Sequence, residues 1–150
     1  MRYFELVNRI LNNEDGIVRR LPARSTKNSA GYDFFNPKAI ICKSHQITMI
    51  PTGIKAKFPE DEMLLLFNRS SNPKKKGLII LNGVGVVDSD YYGNAENDGE
   101  MAFVFYNMLD EDVRIEAGEK LGQGIFVKYA KTDDDIAEGE RQGGFGSTGK

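Results

Sequence analysis

The residues best placed to do chemistry lie between Asn82 and Gly93, in N-G-V-G-V-V-D-S-D-Y-Y-G. Two carboxylates, Asp88 and Asp90, stand there beside two tyrosines, Tyr91 and Tyr92. An aspartate near its ordinary pKa of about 3.9 is ionised at neutral pH, so Asp88 can hold a water and accept its proton without special tuning. Two aspartates around a serine also read, more simply, as a solvated turn. An apolar run from Leu78 to Leu81 leads into the segment, and Val84, Val86 and Val87 favour extended chain. Its glycines permit a sharp turn or close approach to a ligand. The stretch therefore predicts a β-hairpin with its chemistry at the tip.

Four other short, polar stretches carry usable groups. Arg69-Ser70-Ser71 follows an apolar run directly. A guanidinium beside two hydroxyls and their N–H groups suits a phosphate, and it equally suits an ordinary strand-to-turn junction capped by serine. Asp33, in A-G-Y-D, reads as a turn aspartate or as the support of a hydrated Mg²⁺, a cation that takes one or two carboxylates plus waters and phosphate oxygens. Gln123, in A-G-E-K-L-G-Q-G, reads as a strand-edge residue or as a donor to a phosphate oxygen. The terminal R-Q-G-G-F-G-S-T-G-K sets one ring, Phe145, among glycines, with Arg141 before it and Ser147 and Thr148 after. An arm of this kind has no core of its own. Closing over a planar ligand would put the ring on a base and the polar groups on phosphates. Gly144 to Lys150 imitates the start of a P-loop, but no Ser or Thr follows the lysine and no helix is there to carry it.

These groups must be positioned by short strands. Residues 2–9, Ala39–Cys42, Gln46–Ile50, Gly53–Phe58, Met63–Asn68, Gly77–Leu81, Met101–Tyr106, Val113–Ile115 and Ile125–Tyr129 read as extended. Residues 17–29 read as loop, and Ser71–Lys76 as a single helical turn limited by Pro73. No window keeps an apolar helical stripe, and the spacing predicts an all-β sandwich, jelly roll or barrel. The organisation expected is a β core over residues 1–130, then an acidic connector and a mobile Gly-rich arm over 131–150.

The 150 residues suffice for one core, and 40% apolar with 28% charged content is that of a globular protein. A net charge of −2 argues against a nucleic-acid partner, and the short apolar runs argue against a membrane span. The N-terminus lacks a signal-peptide core. With one cysteine, Cys42, and one histidine, His45, neither a disulfide framework nor a thiolate or histidine metal centre is expected. A reducing, cytoplasmic compartment fits this usage.

Taken in order and with their spacing, A-G-Y-D, R-S-S, N-G-V-G-V-V-D-S-D-Y-Y-G, A-G-E-K-L-G-Q and R-Q-G-G-F-G-S-T-G resemble the five motifs of the trimeric dUTP pyrophosphatase (dUTPase) family. The resemblance covers residues 30–148. It implies a distorted jelly roll, a dUTPase-like β-clip, assembled as a homotrimer whose C-terminal arms are exchanged between protomers. It implies hydrolysis of dUTP to dUMP and pyrophosphate with Mg²⁺, keeping uracil out of DNA and supplying dUMP. Asp88 resembles the aspartate that activates water, and Tyr91 the tyrosine beneath the deoxyribose. Asn82, Gly85, Val86 and Val87 resemble the segment that reads uracil. Arg69, Ser70, Ser71 and Gln123 look like triphosphate ligands, and Asp33 like the support of the metal's waters. Arg141, Phe145, Ser147 and Thr148 resemble the arm.

Two features depart from that pattern. One residue fewer separates Arg141 from Phe145, and the segment N-A-E-N-D-G-E after Gly93 is longer than expected. Two alternatives follow. A dCTP deaminase shares the fold but requires a glutamate inside the strand after the hairpin, where this chain has M-A-F-V-F-Y. A phage-type dUTPase can also bind a regulatory protein, for which residues 94–100 would offer a contact surface.

Overall fold

A computed structural model describes residues 1–12 and 16–143. Within them the chain is all-β. Strands β1 (Tyr3–Leu6), β2 (Tyr32–Phe35), β3 (Ile40–Cys42), β4 (Ile47–Pro51), β5 (Ile54–Lys57), β6 (Glu62–Asn68), β7 (Leu78–Ile80), β8 (Gly85–Asp88), β9 (Ala102–Asn107), β10 (Val113–Ile115) and β11 (Lys120–Lys128) are joined by one short helix, α1 (Asn8–Leu11). A π-type turn covers Asn72–Lys76 and a 3-10 turn covers Ser89–Tyr91. All strand pairings are antiparallel. They form a four-stranded sheet, β2-β11-β6-β8, a three-stranded sheet, β4-β9-β7, and two ribbons, β1-β5 and β3-β10. The result is a jelly-roll-like fold built from short strands, as their even spacing predicts.

The two larger sheets face each other across the core. Phe34, Leu64, Leu66 and Leu121 from one meet Ile50, Leu78, Phe103 and Phe105 from the other, all buried. Phe34 and Phe103 meet edge-on, with ring centroids 5.6 Å apart. Gly122 permits this approach, because a Cβ there would lie 2.5 Å from the Phe103 ring and 2.7 Å from the Phe67 carbonyl.

Three expectations need correcting. Residues 2–9 are not one strand: β1 ends at Leu6 and the chain turns into α1, whose Ile10 is buried against Gly53. The last strand starts at Lys120, well before Ile125. Its glycines Gly122 and Gly124 let the strand pass beneath Phe103 and Phe34. The hairpin also dissolves. β7 pairs only with β9 and β8 only with β6, so the two strands diverge into separate sheets. The exposed tip is Asn82–Val84, and Asp88 lies at the far end of β8.

Candidate active site

The described site residues gather in two places. At the first, β2, β11 and β6 run side by side, so that Gln123 stands opposite both Asp33 and Phe67. Gly31 has no side chain because Gln123 occupies the space: a Cβ there would lie 2.1 Å from Gln123 Oε1. The Asp33 carboxylate accepts an ion pair from Lys120 at 3.1 Å. Arg69 leaves the end of β6 and donates from Nη1 to the Lys120 carbonyl at 3.3 Å. The turn that follows is pinned by Asn72, whose buried amide donates to the Leu121 carbonyl at 2.9 Å and to Asn68 Oδ1 at 2.8 Å. Ser71 opens the turn without a side-chain capping bond, and Ser70 is exposed. Arg69, Ser70, Ser71, Gln123 and Asp33 therefore lie in one neighbourhood. Lys120 belongs to it and was missed by sequence reasoning. It sits inside A-G-E-K-L-G-Q, but only the bulge between Lys120 and Gly122 brings its amine to Asp33.

The second place is the stretch from Asn82 to Tyr91. Gly85 and Val87 turn inward and Val86 outward, so the Val87 side chain is committed to the core and only its backbone can meet a ligand. An apolar cleft opens where β7 and β8 part, lined by Leu66, Ile80, Leu81, Gly85, Ala102, Phe103 and Val104, with Asn82 among the wall residues. Asp88 ends β8 and Asp90 follows in the 3-10 turn, both half in solvent. Tyr91 is buried. Its hydroxyl donates to the Glu100 carbonyl at 2.7 Å and accepts from Asn97 Nδ2 at 2.6 Å. Burial pushes the phenol above its ordinary pKa, against the opposing pull of the Asn97 amide.

Arg141 completes this second cluster. Its guanidinium pairs with Asp88 and, at 2.7 Å, with Asp90, and stands 5.8 Å from the Tyr91 ring centre. The arm's first residues thus rest on the chain's own carboxylates. Asp90, read from sequence as a turn residue, shares this guanidinium. Phe145, Ser147 and Thr148 lie outside the described residues.

The two clusters do not meet. Asp88 pairs with Met63 at one end of β6, and Arg69 follows Asn68 at the other. Six residue steps from Met63 to Arg69, at about 3.4 Å each, hold them roughly 20 Å apart. No group of three His, Cys, Asp or Glu converges on a metal position among the described residues.

A family model described as dUTPase matches residues 19–149. The chain belongs to the dUTPase family. A deoxyuridine 5'-triphosphate nucleotidohydrolase of Lactococcus lactis is 45% identical over 151 residues, covering 99% of this chain and 98% of that protein. One from Treponema denticola is 36% identical, covering 86% of this chain and 90% of that protein. Among solved structures, the dUTPase of Streptococcus mutans superposes with a TM-score of 0.79 at 41% identity, covering 87% of this chain and 98% of that one. The dUTPase of phage phi11 of S. aureus, described with a structural Mg(II) ion, superposes with a TM-score of 0.70 at 20% identity, covering 93% of this chain and 97% of that one. This last likeness is one of fold.

No helix among the described residues is long and apolar enough to cross a membrane.

Proposed function

We propose that this chain hydrolyses dUTP to dUMP and pyrophosphate, as a homotrimer with active sites shared between protomers. The 45% identical Lactococcus protein, a named deoxyuridine 5'-triphosphate nucleotidohydrolase matched end to end, carries this reading. In the reaction Asp88 accepts a proton from a water as that water attacks the α-phosphorus. The bond from the α-phosphorus to the bridging oxygen breaks, and pyrophosphate leaves. Arg69, Ser70, Ser71 and Gln123 offset and orient the triphosphate charge. Asn82 and the backbone of Gly85, Val86 and Val87 read uracil. The Tyr91 ring lies under the sugar and leaves no room for a 2'-hydroxyl, so UTP is rejected by a clash.

The separation of Asp88 from Arg69 supports a shared site, because the register of β6 sets the two at its opposite ends. The outer face of β4-β9-β7 supports an assembly. Ile47 and Met49 are 60% and 61% exposed, and Tyr106, Ile79, Val104 and Leu81 lie beside them in register. An apolar sheet face of this size is a surface made to be covered. Residues 131–140 are exposed throughout and carry no strand, which suits a connector to an arm that closes the site with Arg141, Phe145, Ser147 and Thr148. For Asp88 to hold its water, Arg141 must release it, and the substrate's phosphates are the competing anions.

The donor set of the first cluster fits Mg²⁺ held mainly by phosphate and water. It offers one carboxylate, Asp33, beside amide and guanidinium donors, and no protein cage. Asp33 would hold the ion's waters, and the ion would supply charge neutralisation on the triphosphate.

Neither alternative gains an observation in its favour. β9 contains no glutamate, and the Glu100 carboxylate before it is engaged by the Gly53 N–H at 2.8 Å and by Arg9. In the 94–100 loop, Asn94, Asn97 and Asp98 bond to their own chain, while Ala95, Glu96 and Asn97 are exposed.

A substrate panel of dUTP, UTP, dTTP and dCTP with Mg²⁺, scored for pyrophosphate and ammonia, tests the proposal. Pyrophosphate from dUTP alone is expected. Release of ammonia from dCTP, or no pyrophosphate from dUTP, refutes it. Asp88→Asn should retain nucleotide binding and lose turnover by roughly a hundredfold or more.

A further inference from the structure

The loop of residues 94–100 is bound to Tyr91. Asn97 donates to the Tyr91 hydroxyl at 2.6 Å, and the carbonyl of Glu100, at the loop's other end, accepts from the same hydroxyl at 2.7 Å. The loop itself is anchored. Asp98 receives the Lys55 amine at 3.0 Å and the Asn8 N–H at 3.1 Å, and Glu100 receives the Gly53 N–H and the Arg9 guanidinium. Gly99, at φ +81°, packs on the Tyr91 carbonyl so closely that a Cβ would lie 2.7 Å from it. Asn97 Oδ1 accepts the Gly99 N–H at 3.1 Å, which fixes the amide that reaches the tyrosine. The Tyr91 ring, with Asn97 at its hydroxyl end, lines a cavity together with Met49, Pro51, Ala102 and Val104.

We propose that Asn97 is a positioning residue for sugar discrimination: by holding the Tyr91 hydroxyl from the solvent side, it keeps the ring in the place where a ribose 2'-hydroxyl would have to go. This rests on the reading of Tyr91 as the residue beneath the deoxyribose. The physical reason is that a steric filter discriminates only as well as its wall resists displacement. A ring held at its Cα and by one hydrogen bond can tilt. One held between a donor and an acceptor on an anchored loop cannot tilt without breaking a bond.

The test compares kcat/KM for dUTP and for UTP in four variants. Asn97→Ser keeps an oxygen for the Gly99 N–H but is too short to reach Tyr91. Asn97 is exposed, so the core is untouched, and Tyr91 still donates to Glu100. Its preference for dUTP should fall about tenfold, through a rise in kcat/KM for UTP with kcat for dUTP nearly unchanged. Tyr91→Phe removes the hydroxyl and with it both the Asn97 and the Glu100 bonds, and should lose at least as large a factor. The double variant should lose no more than Tyr91→Phe alone, because the bond that Asn97→Ser deletes is already absent there. Tyr91→Ala should abolish the preference. If it does not, Tyr91 is not the sugar filter and the underlying reading falls. If Tyr91→Ala abolishes the preference while Asn97→Ser and Tyr91→Phe keep the parental ratio, Asn97 has no positioning role. Should Asn97→Ser fail to fold, an unchanged ratio in Tyr91→Phe overturns the proposal by itself.

Discussion

Two single residues set conditions on the site without touching the reacting atoms. Gly31 lies where a side chain would collide with the Gln123 amide, and the colliding atom is the far end of a flexible side chain rather than backbone. Gly31→Ala should therefore leave the fold intact and displace Gln123. The expected result is a several-fold higher KM for dUTP with an unchanged melting temperature, measured by steady-state kinetics and a thermal melt. Asp98 concerns stability. Its burial raises the carboxyl pKa, but the Lys55 amine and the Asn8 N–H more than offset that and hold it below the ordinary value. A depressed carboxylate stabilises the fold above its unfolded pKa of about 3.9, and that contribution disappears as pH falls through the lower folded value. Asp98→Asn should melt several degrees lower than the parent at pH 7. The two melting curves should converge as the solution is taken from about pH 4 downward. A gap that persists at acid pH would mean that the Lys55–Asp98 pair is not its origin.

At the scale of strands, the dependence of β11 on its glycines gives a sharper prediction. Gly122→Ala would push a methyl into the Phe103 ring and the Phe67 carbonyl, and backbone cannot swing aside as the Gln123 amide can. The cost should be about 1–3 kcal/mol, read from chemical denaturation, with Phe103→Leu in the same chain recovering part of it. The same strand shows what sequence could and could not disclose. Alternation made β6 and β9 readable, because Leu64, Leu66, Phe103 and Phe105 face one core. In β11 Gly122 and Gly124 carry no side chain to alternate, and their extended role appears only once the rings above them are placed. Likewise Leu78–Ile80 and Gly85–Asp88 read as a hairpin because they are near in sequence and both apolar. Which partner each strand takes is decided by β9 and β6, and local pattern does not report it. The site residues were legible as types in order. Their division into two clusters was not, since it depends on Asp88 pairing with Met63 and on Arg69 leaving the opposite end of β6. Asn97 and Lys120 acquire their roles only through contacts that the fold creates.

For the molecule as a whole, the roughly 20 Å of strand between Asp88 and Arg69 turns the question of assembly into one of activity. If both residues serve one nucleotide, they come from different copies, and each copy gives Asp88 to one site and Arg69 to another. The exposed Ile47 and Met49 face of β4-β9-β7 offers the surface on which copies would meet. Asp88→Asn and Arg69→Ala should each be inactive alone. Unfolded together in equal amounts and refolded, they should form mixed trimers. A site is intact when the chain supplying Asp88 carries only the Arg69 change and the chain supplying Arg69 carries only the Asp88 change. Random mixing gives each condition half the time, so about a quarter of parental turnover should return. A site completed within one chain predicts no recovery at any mixing ratio, because every chain then carries a defect in its own site. Ile47→Asp should lower the assembly state in sedimentation and abolish turnover together, although Ile47 lies on the apolar face and outside both clusters. A monomer that remained fully active would show that one copy can fold Asp88 and Arg69 around the same triphosphate, against the register of β6.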